Sequence, residues 1–163
     1  MTPRARRAVP EDFADYLRLA GQVENWFGAM VAVPGFHKAV RTAIAAGTAL
    51  CCGPIGSVTG AMLFGGTDGD YHLDWLVVDR PARRSGVGSA LWDGARNLLI
   101  TRLPATVAVV TFGAEHPAAD AARRFYLRHG FRPAEPAPDG PEGGPRQWFR
   151  LRLTDGGQAA GNR

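Results

Sequence analysis

Two adjacent arginines followed by a pair of glycines carry the plainest chemistry in this chain. The run is Arg83-Arg84-Ser85-Gly86-Val87-Gly88. It follows an apolar stretch, Leu73-Asp74-Trp75-Leu76-Val77-Val78, that reads as a buried strand. It precedes residues 89–96, which read as the start of a helix. A strand, a glycine-rich turn and a helix N-terminus present backbone N–H groups and the positive end of a helix dipole to an anion. Gly86 and Gly88 lack a Cβ, so phosphate oxygens can approach the backbone closely. Arg83 and Arg84 add positive charge, and the expected ligand is a pyrophosphate.

Two common pyrophosphate ligands are excluded on residues. The dinucleotide fingerprint places a third glycine where this chain has Leu91, and the ATP-type loop needs Gly-Lys-Ser/Thr, whereas the single lysine is Lys38. What remains is Arg83-x-x-Gly86-x-Gly88, with Val78 five residues ahead of the arginine. This resembles the acyl-CoA-binding signature of the GNAT superfamily of N-acetyltransferases. Downstream, Ala122-x-x-Phe125-Tyr126-x-x-x-Gly130-Phe131 is similar to a later motif of that superfamily, a helix bearing a tyrosine followed by Gly-Phe.

The elements that must position these residues are legible in the periodicity. A short edge strand is expected over residues 4–8. A helix then opens at Pro10-Glu11-Asp12, with Phe13, Tyr16, Leu17 and Ala20 on one face. Residues 21–34 are expected to be helical in part, and a further helix with Phe36, Val40, Ala43 and Ile44 on one side ends at Gly47. Three strands follow, at 48–52, 58–64 and 71–78, joined by turns at 53–57 and 65–70. The motif helix is expected over 88–100. The nearly all-apolar run 106–112 reads as a central strand covered on both faces. A helix over 117–129 presents Ala118, Ala122, Phe125 and Tyr126 and stops at Gly130 in a left-handed position. Strands at 131–134 and 147–153 flank a long loop rich in Pro and Gly. Residues 1–153 are expected to form one domain and 154–163 a loose tail.

Bulk properties exclude several classes. With 163 residues, 45% hydrophobic and 21% charged, the chain fits one globular domain. No apolar run approaches the ~20 residues of a membrane span, and no apolar core follows the basic start. Neither a membrane partner nor secretion is expected. Cys51 and Cys52 are adjacent and point to opposite faces of a strand, so they read as core filling rather than a disulfide. A reducing, cytoplasmic setting is expected, without a metal. The net charge of +4 comes almost wholly from scattered arginines. No arginine stripe interleaved with aromatics is present, which argues against a nucleic-acid partner.

The order β-α-α-β-β-β-α-β-α-β-β is that of the superfamily. The resemblance implies an α/β (α+β) GNAT fold: a mixed, mostly antiparallel twisted sheet of about seven strands with about four helices, split between strands 4 and 5. It implies transfer of an acetyl group from acetyl-CoA, as co-substrate, to a primary amine of a small molecule or peptide, by direct attack in a ternary complex. Backbone groups of Leu76, Val77 and Val78 would meet the pantetheine arm and the oxyanion. Arg83, Arg84, Ser85, Gly86, Val87, Gly88 and Ser89 would hold the phosphates. Tyr126 would be the general acid near the leaving sulfur. Family members often use a carboxylate on the strand before the motif as base, which points to Asp74 and, two residues away on the same face, His72. Glu115 with His116, and Glu24, are further candidates for that role. The acceptor would meet Glu24, Trp26, Phe27 and Arg146. Relatives often carry an asparagine seven residues before the tyrosine, where this chain has Ala119. Family members often dimerise, which brings a homodimer within the expectation. Two rival functions remain at this stage: a non-catalytic acyl-CoA sensor and a basic nucleic-acid-binding module.

Overall fold

The structure, a computed structural model, describes residues 2–155; most of the expected 154–163 tail lies outside them. In chain order the strands are β1 (Ala5–Arg7), β2 (Ala49–Cys52), β3 (Gly60–Thr67), β4 (Asp70–Val78), β5 (Ala105–Phe112), β6 (Arg132–Ala137) and β7 (Arg146–Leu153). The helices are α1 (Phe13–Gly21), the single turn α2 (Glu24–Phe27), α3 (Pro34–Ala46), α4 (Val87–Leu98) and α5 (Ala119–Arg128), with 3-10 turns at Pro10–Asp12 and Arg80–Ala82. Among the described residues the strands form a seven-stranded sheet in the order β1-β2-β3-β4-β5-β7-β6. The β4–β5 ladder is parallel and ends at Leu73↔Val109, although β4 runs on to Val78 and β5 to Phe112. This is the expected mixed sheet with its split at strands 4 and 5.

The chain divides into two compact units. One comprises the chain up to Gly65 with Asp74–Leu99; the other comprises Gly66–Leu73 with the chain from Ile100 onward.

In the first unit the strands are covered on both faces. Ala49, Cys51, Ala61, Leu63, Trp75 and Val77 join Tyr16, Leu19 and Val40 of α1 and α3 in one buried cluster. The alternate strand positions meet α4. A Cβ on Gly60 would lie 2.4 Å from Val87 and 3.2 Å from Leu91, and one on Gly94 would lie 2.6 Å from Ala5. These glycines let helix and sheet approach, a close-packing role distinct from that of the motif glycines. The Tyr16 hydroxyl is buried and donates to the carbonyls of Leu50 (2.8 Å) and Met62 (3.2 Å). Cys51 and Cys52 are buried and free, as expected of core filling. Burial pushes their thiols up to about 12 and about 11 respectively.

In the second unit β5 lies between the start of β4 and β7, with β6 on the outer side of β7. The buried core comprises Val107, Val109, Phe131, Phe149, Leu151 and Tyr126. Arg123 on α5 donates to Phe112 O (3.1 Å) and Gln147 Oε1 (2.6 Å), and Gln147 donates on to Ala134 O (2.8 Å).

Two boundaries differ from expectation for local reasons. The turn expected over 65–70 narrows to Asp68 and Gly69, both with positive φ (58° and 88°), so β3 extends to Thr67. An Asp-Gly pair of this kind matches the twist of a tight hairpin. The sixth strand extends past Ala134 to Ala137 through an irregularity between Pro133 and Pro136. Prolines are tolerated there because the strand lies at the sheet edge.

Candidate active site

The first unit holds the glycine-rich loop expected to receive an anion, hereafter the anion loop. β4 ends at Val78, and Asp79 opens the 3-10 turn Arg80–Ala82. Gly86 is the N-cap of α4 with φ 88°, a left-handed conformation in which a Cβ would meet nothing within 4 Å. The space above it is open to a ligand. Arg84 also has positive φ (65°), costly for an arginine and of the kind that clusters at binding sites. Sequence reading did not anticipate it. By helix geometry the N–H groups of Val87 and Gly88 have no intrahelical acceptor, whereas that of Ala90 already reaches Gly86 O at 2.9 Å. Val87 is 3% exposed and anchors the helix start against the sheet. Beside the loop lies a shallow cleft of about 560 Å³ lined by Thr2, Pro3, Ser85, Gly86, Ser89, Ala90 and Asp93. Open backbone, a helix dipole and a cleft fit a polyphosphate.

The arginines of the motif are exposed. Arg83 turns back, its Nε donating to Val78 O at 3.3 Å. The side chain thereby ties the loop to the end of the strand whose backbone the resemblance assigns to the pantetheine. Ser85 Oγ donates to Ala82 O, closing the turn on itself.

The root of the loop is pinned by residues that carry no motif. Asp79 Oδ1 accepts from Gln22 Nε2 at 2.7 Å, and its Oδ2 accepts from Arg18 at 3.2 Å. The Gln22 hydrogen bond first, and Arg18 with it, hold the Asp79 carboxyl below the ordinary carboxylate range. The Asp79 N–H reaches Thr59 O at 2.8 Å. Arg18 also grips Asp15 (2.9 Å) and Val58 O (2.6 Å). No sequence signal pairs Gln22 with Asp79; they lie 57 positions apart.

The expected acceptor residues of this unit sit on α2. Trp26 and Phe27 are partly buried against the α1–α3 side of the core, with Val31 and Phe36. Glu24 is spent locally: its Oε2 accepts the N–H groups of Met30 (2.6 Å) and Val31 (3.1 Å). The carboxylate shapes the loop after α2. Asp74 is exposed on β4, on the side opposite its buried neighbour Trp75. The run expected to be a buried strand is buried at alternate positions, and period-2 geometry puts Asp74 on its exposed face.

The second unit holds Tyr126, His72 and Arg146. Tyr126 is 6% exposed, with its ring against Phe131 (centroids 5.4 Å) and Phe149 (6.2 Å). Phe125, expected to carry the apolar stripe beside it, is only half-buried and packs on His129 at 4.6 Å. Tyr126 and Ala119 are the buried residues of α5. Burial alone raises the Tyr126 hydroxyl well above its usual range, so it stays protonated. His72 is exposed on β4 in register with Ala108. Arg146 is 8% exposed; it pairs with Glu142 at 2.5 Å and lies over the Phe112 ring at 4.5 Å. His116 stacks on the same ring at 4.3 Å, and its Nδ1 accepts the Ala118 N–H at 3.0 Å. Both side chains fasten the loop between β6 and β7 rather than standing open to a ligand. Glu115 is exposed. No group of metal-ligating side chains occurs among the described residues, and no helix among them is long and apolar enough to cross a membrane.

Comparison with known proteins bears on the fold and the family. Against curated proteins there is no significant match. Among solved structures, Ard1 from Thermoplasma volcanium superposes with a TM-score of 0.76 at 20% identity, covering 95% of this chain and all of its own. The ribosomal-protein-S18-alanine N-acetyltransferase of Escherichia coli gives 0.69 at 16% identity, covering 99% and 98%. The PaiA N-acetyltransferase of Thermoplasma acidophilum, solved in complex with coenzyme A, gives 0.68 at 12%, covering 91% and 98%. At such identities the likeness is one of fold. A family-wide sequence profile described as an acetyltransferase (GNAT) domain matches residues 45–133, more than half of the chain. That span runs from the last turn of α3 through the anion loop to the start of β6, and by it this protein belongs to the GNAT family of acetyltransferases.

Proposed function

We propose that residues 1–153 act as one catalytic domain that moves an acetyl group from acetyl-CoA to a primary amine of a small molecule or peptide. The observation that carries this reading is the open, left-handed Gly86 at the N-terminus of α4, beside a cleft and within the family's motif. Acetyl-CoA supplies an activated thioester: the amine nitrogen bonds to the acyl carbon as the carbon–sulfur bond breaks. The remaining work belongs to this chain.

Val87 and Gly88 N–H groups, with Arg84, receive the pyrophosphate. The backbone of Leu76–Val78 receives the pantetheine and the oxyanion, held at its end by Arg83. Tyr126 acts on the leaving sulfur. A tyrosine hydroxyl ordinarily loses its proton near pH ~10 and a thiol near ~8.5, so full transfer from Tyr126 is uphill before burial is counted. Burial makes it more so. The hydroxyl therefore serves first as a hydrogen-bond donor to the developing thiolate, strongest where charge appears. Asp74, with His72, takes the amine proton: both are exposed and can pass it to water. Trp26 and Phe27 receive the apolar body of the acceptor; Glu24 and Arg146 shape its surroundings through the contacts described above. We place the protein in the cytoplasm.

Thermal-shift measurements with CoA, acetyl-CoA and duplex DNA, followed by thiol release across an amine panel, test this reading. Stabilisation by CoA and thiol release with amines are expected. Stabilisation by DNA alone would overturn it, and CoA binding without thiol release for any amine would leave a sensor.

A further inference from the structure

The run 106–112, expected to be covered on both faces, is fully covered on one only. Val107 and Val109 of β5 and Phe149 and Leu151 of β7 are buried on the side of α5, whose Tyr126 and Arg123 lie against Phe149 at 6.2 and 4.9 Å. The alternate residues point the other way. There Val110 is 39% exposed, Thr106, Ala108, Trp148 and Arg150 are half-buried, and Arg132 and Arg152 are exposed. Among the described residues α5 is the one helix of this unit, and the second face of its sheet stands open to solvent.

The open face is ordered by register. Val110 lies beside Trp148, then Ala108 beside Arg150 and Arg132, then Thr106 beside Arg152. An apolar band thus gives way to an arginine band. Arg150 and Arg152 stand two positions apart on one strand, roughly 6.6 Å, which is the spacing of alternate side chains in any extended chain. Arg150 already holds a carboxylate: the exposed Glu135 accepts two bonds from it, at 2.6 and 2.5 Å. Arg152 has no such partner among the described residues. His72 and Asp70 of β4 share the face, in register with Ala108 and Thr106. Against Arg132, Arg150 and Arg152 stand only Asp70 and the already paired Glu135, so the surplus is positive.

That surplus selects the occupant. A second copy packed on this face would gather the arginines of both copies with fewer acids than arginines between them. A nucleic-acid strand needs a row of aromatic rings to stack its bases, whereas Trp148 stands alone here and Arg150 lies over it at 5.4 Å. A polypeptide with acidic side chains at alternate positions matches both the charge and the spacing.

We propose that the face of β5, β7 and β6 turned away from α5 docks an extended acidic segment of a polypeptide acceptor, with carboxylates on Arg152 and Arg150 and an apolar side chain on Trp148 and Val110. Calling the segment part of an acceptor rests on the acetyltransferase reading. Arg152 is the first anchor because no internal partner must be displaced from it. At Arg150 the incoming carboxylate exchanges with Glu135, which costs little because both side chains of that pair are exposed.

Alanine-based peptide amides test this, carrying glutamate, glutamine or lysine at two alternate positions. In the wild-type protein kcat/KM is expected to favour the glutamate peptide over the glutamine peptide by about fivefold at low salt, the size of two exposed ion pairs. The ratio falls toward one as salt is added. In Arg152→Glu it falls to about one or below, and the lysine peptide overtakes the glutamate peptide. A wild-type ratio near one, or a ratio that survives in Arg152→Glu, overturns the proposal. Binding is read apart from turnover by calorimetry with N-terminally acetylated peptides, which cannot accept an acetyl group. The glutamate form is expected to bind wild-type protein and to lose at least that factor in Arg152→Glu; equal binding overturns the proposal. A single-stranded oligonucleotide that displaces the glutamate peptide at equal charge concentration makes the face a general polyanion surface and overturns it. So does a wild-type dimer, seen by sedimentation, that Arg152→Glu converts to monomer. Absence of thiol release with every amine, alongside charge-dependent peptide binding, overturns the transfer reading and leaves the docking face standing.

Discussion

Gln22 and Asp79 form a two-way clasp at the root of the anion loop: Gln22 Nε2 donates to Asp79 Oδ1 at 2.7 Å, and Gln22 Oε1 accepts the Arg80 N–H at 3.2 Å. One side chain at the end of α1 thus holds both a carboxylate and a backbone amide of the turn that precedes the motif. Gln22→Ala removes both bonds. It is expected to weaken CoA binding several-fold while costing about 1–2 kcal/mol of stability. Calorimetric titration with CoA, alongside urea unfolding, checks it. Unchanged CoA affinity would show that the loop holds its shape without the clasp.

The same clasp sets a pH dependence. The Asp79 carboxyl is held below its ordinary value by Gln22 and Arg18. Asp12 is fully buried. Burial alone would raise it, but two Arg6 hydrogen bonds at 2.8 and 2.9 Å and the Val9 N–H prevail and hold it low. A depressed carboxyl stabilises the fold fully above its unfolded value, near ~3.9, and loses that contribution as pH falls through the folded value. Stability is therefore expected to be flat with respect to these two groups above pH ~4 and to fall steeply below it. In Asp79→Asn the acid slope should be shallower, as read by thermal melts between pH 2 and 6 (range chosen to bracket ~3.9).

Arg6→Ala removes the bidentate partner of a carboxylate with no exposure. Stranding that charge should cost about 2–3 kcal/mol, less than a fully buried pair because the arginine itself is partly exposed. Chemical denaturation measures it. A loss within experimental error would mean that Asp12 takes up a proton freely.

Gly86→Val places a Cβ at φ 88°, where nothing lies within 4 Å. The strain is that of a left-handed β-branched residue, about 1–2 kcal/mol. The side chain occupies the space assigned to phosphate, so CoA affinity is expected to fall at least tenfold while the circular dichroism spectrum stays native. Retained affinity would remove the loop from the cofactor site.

Tyr126→Phe deletes a hydroxyl that burial keeps protonated. Stability should change by no more than about 1 kcal/mol. Turnover is expected to fall by about 10²-fold or more with the KM for acetyl-CoA unchanged. Thiol release can be followed with a disulfide reagent, since Cys51 and Cys52 are buried and their thiols are pushed up to about 12 and about 11. Native protein alone is expected to give no colour at pH ~8, near the ordinary thiol pKa; rapid labelling of two thiols would contradict the burial.

Much of the architecture was legible because it rests on local rules. The helix ends at Gly47 and Gly130 and the alternation along β7 each follow from sterics or periodicity within a few residues. The misreadings had one cause. The run 73–78 reads as a buried strand, yet Asp74 within it is exposed; and of the two aromatic residues expected on one stripe of α5, Tyr126 is buried and Phe125 only half-buried. A run of side chains does not say which face a second element will cover.

Residue order alone pointed to the glycine-rich loop ahead of α4 and to the succession of strands and helices, because backbone conformation there depends on the residues themselves. Only the tertiary structure decided what each charged or polar side chain is for. Glu24 is spent on two amides, Arg146 on Glu142, Asp79 on Gln22 and Arg18, and the Trp75 N–H on nothing among the described residues. A polar group's role is set by its partner and its exposure to water. Where the partner stands many positions away, as Gln22 does from Asp79, the fold alone brings it within reach.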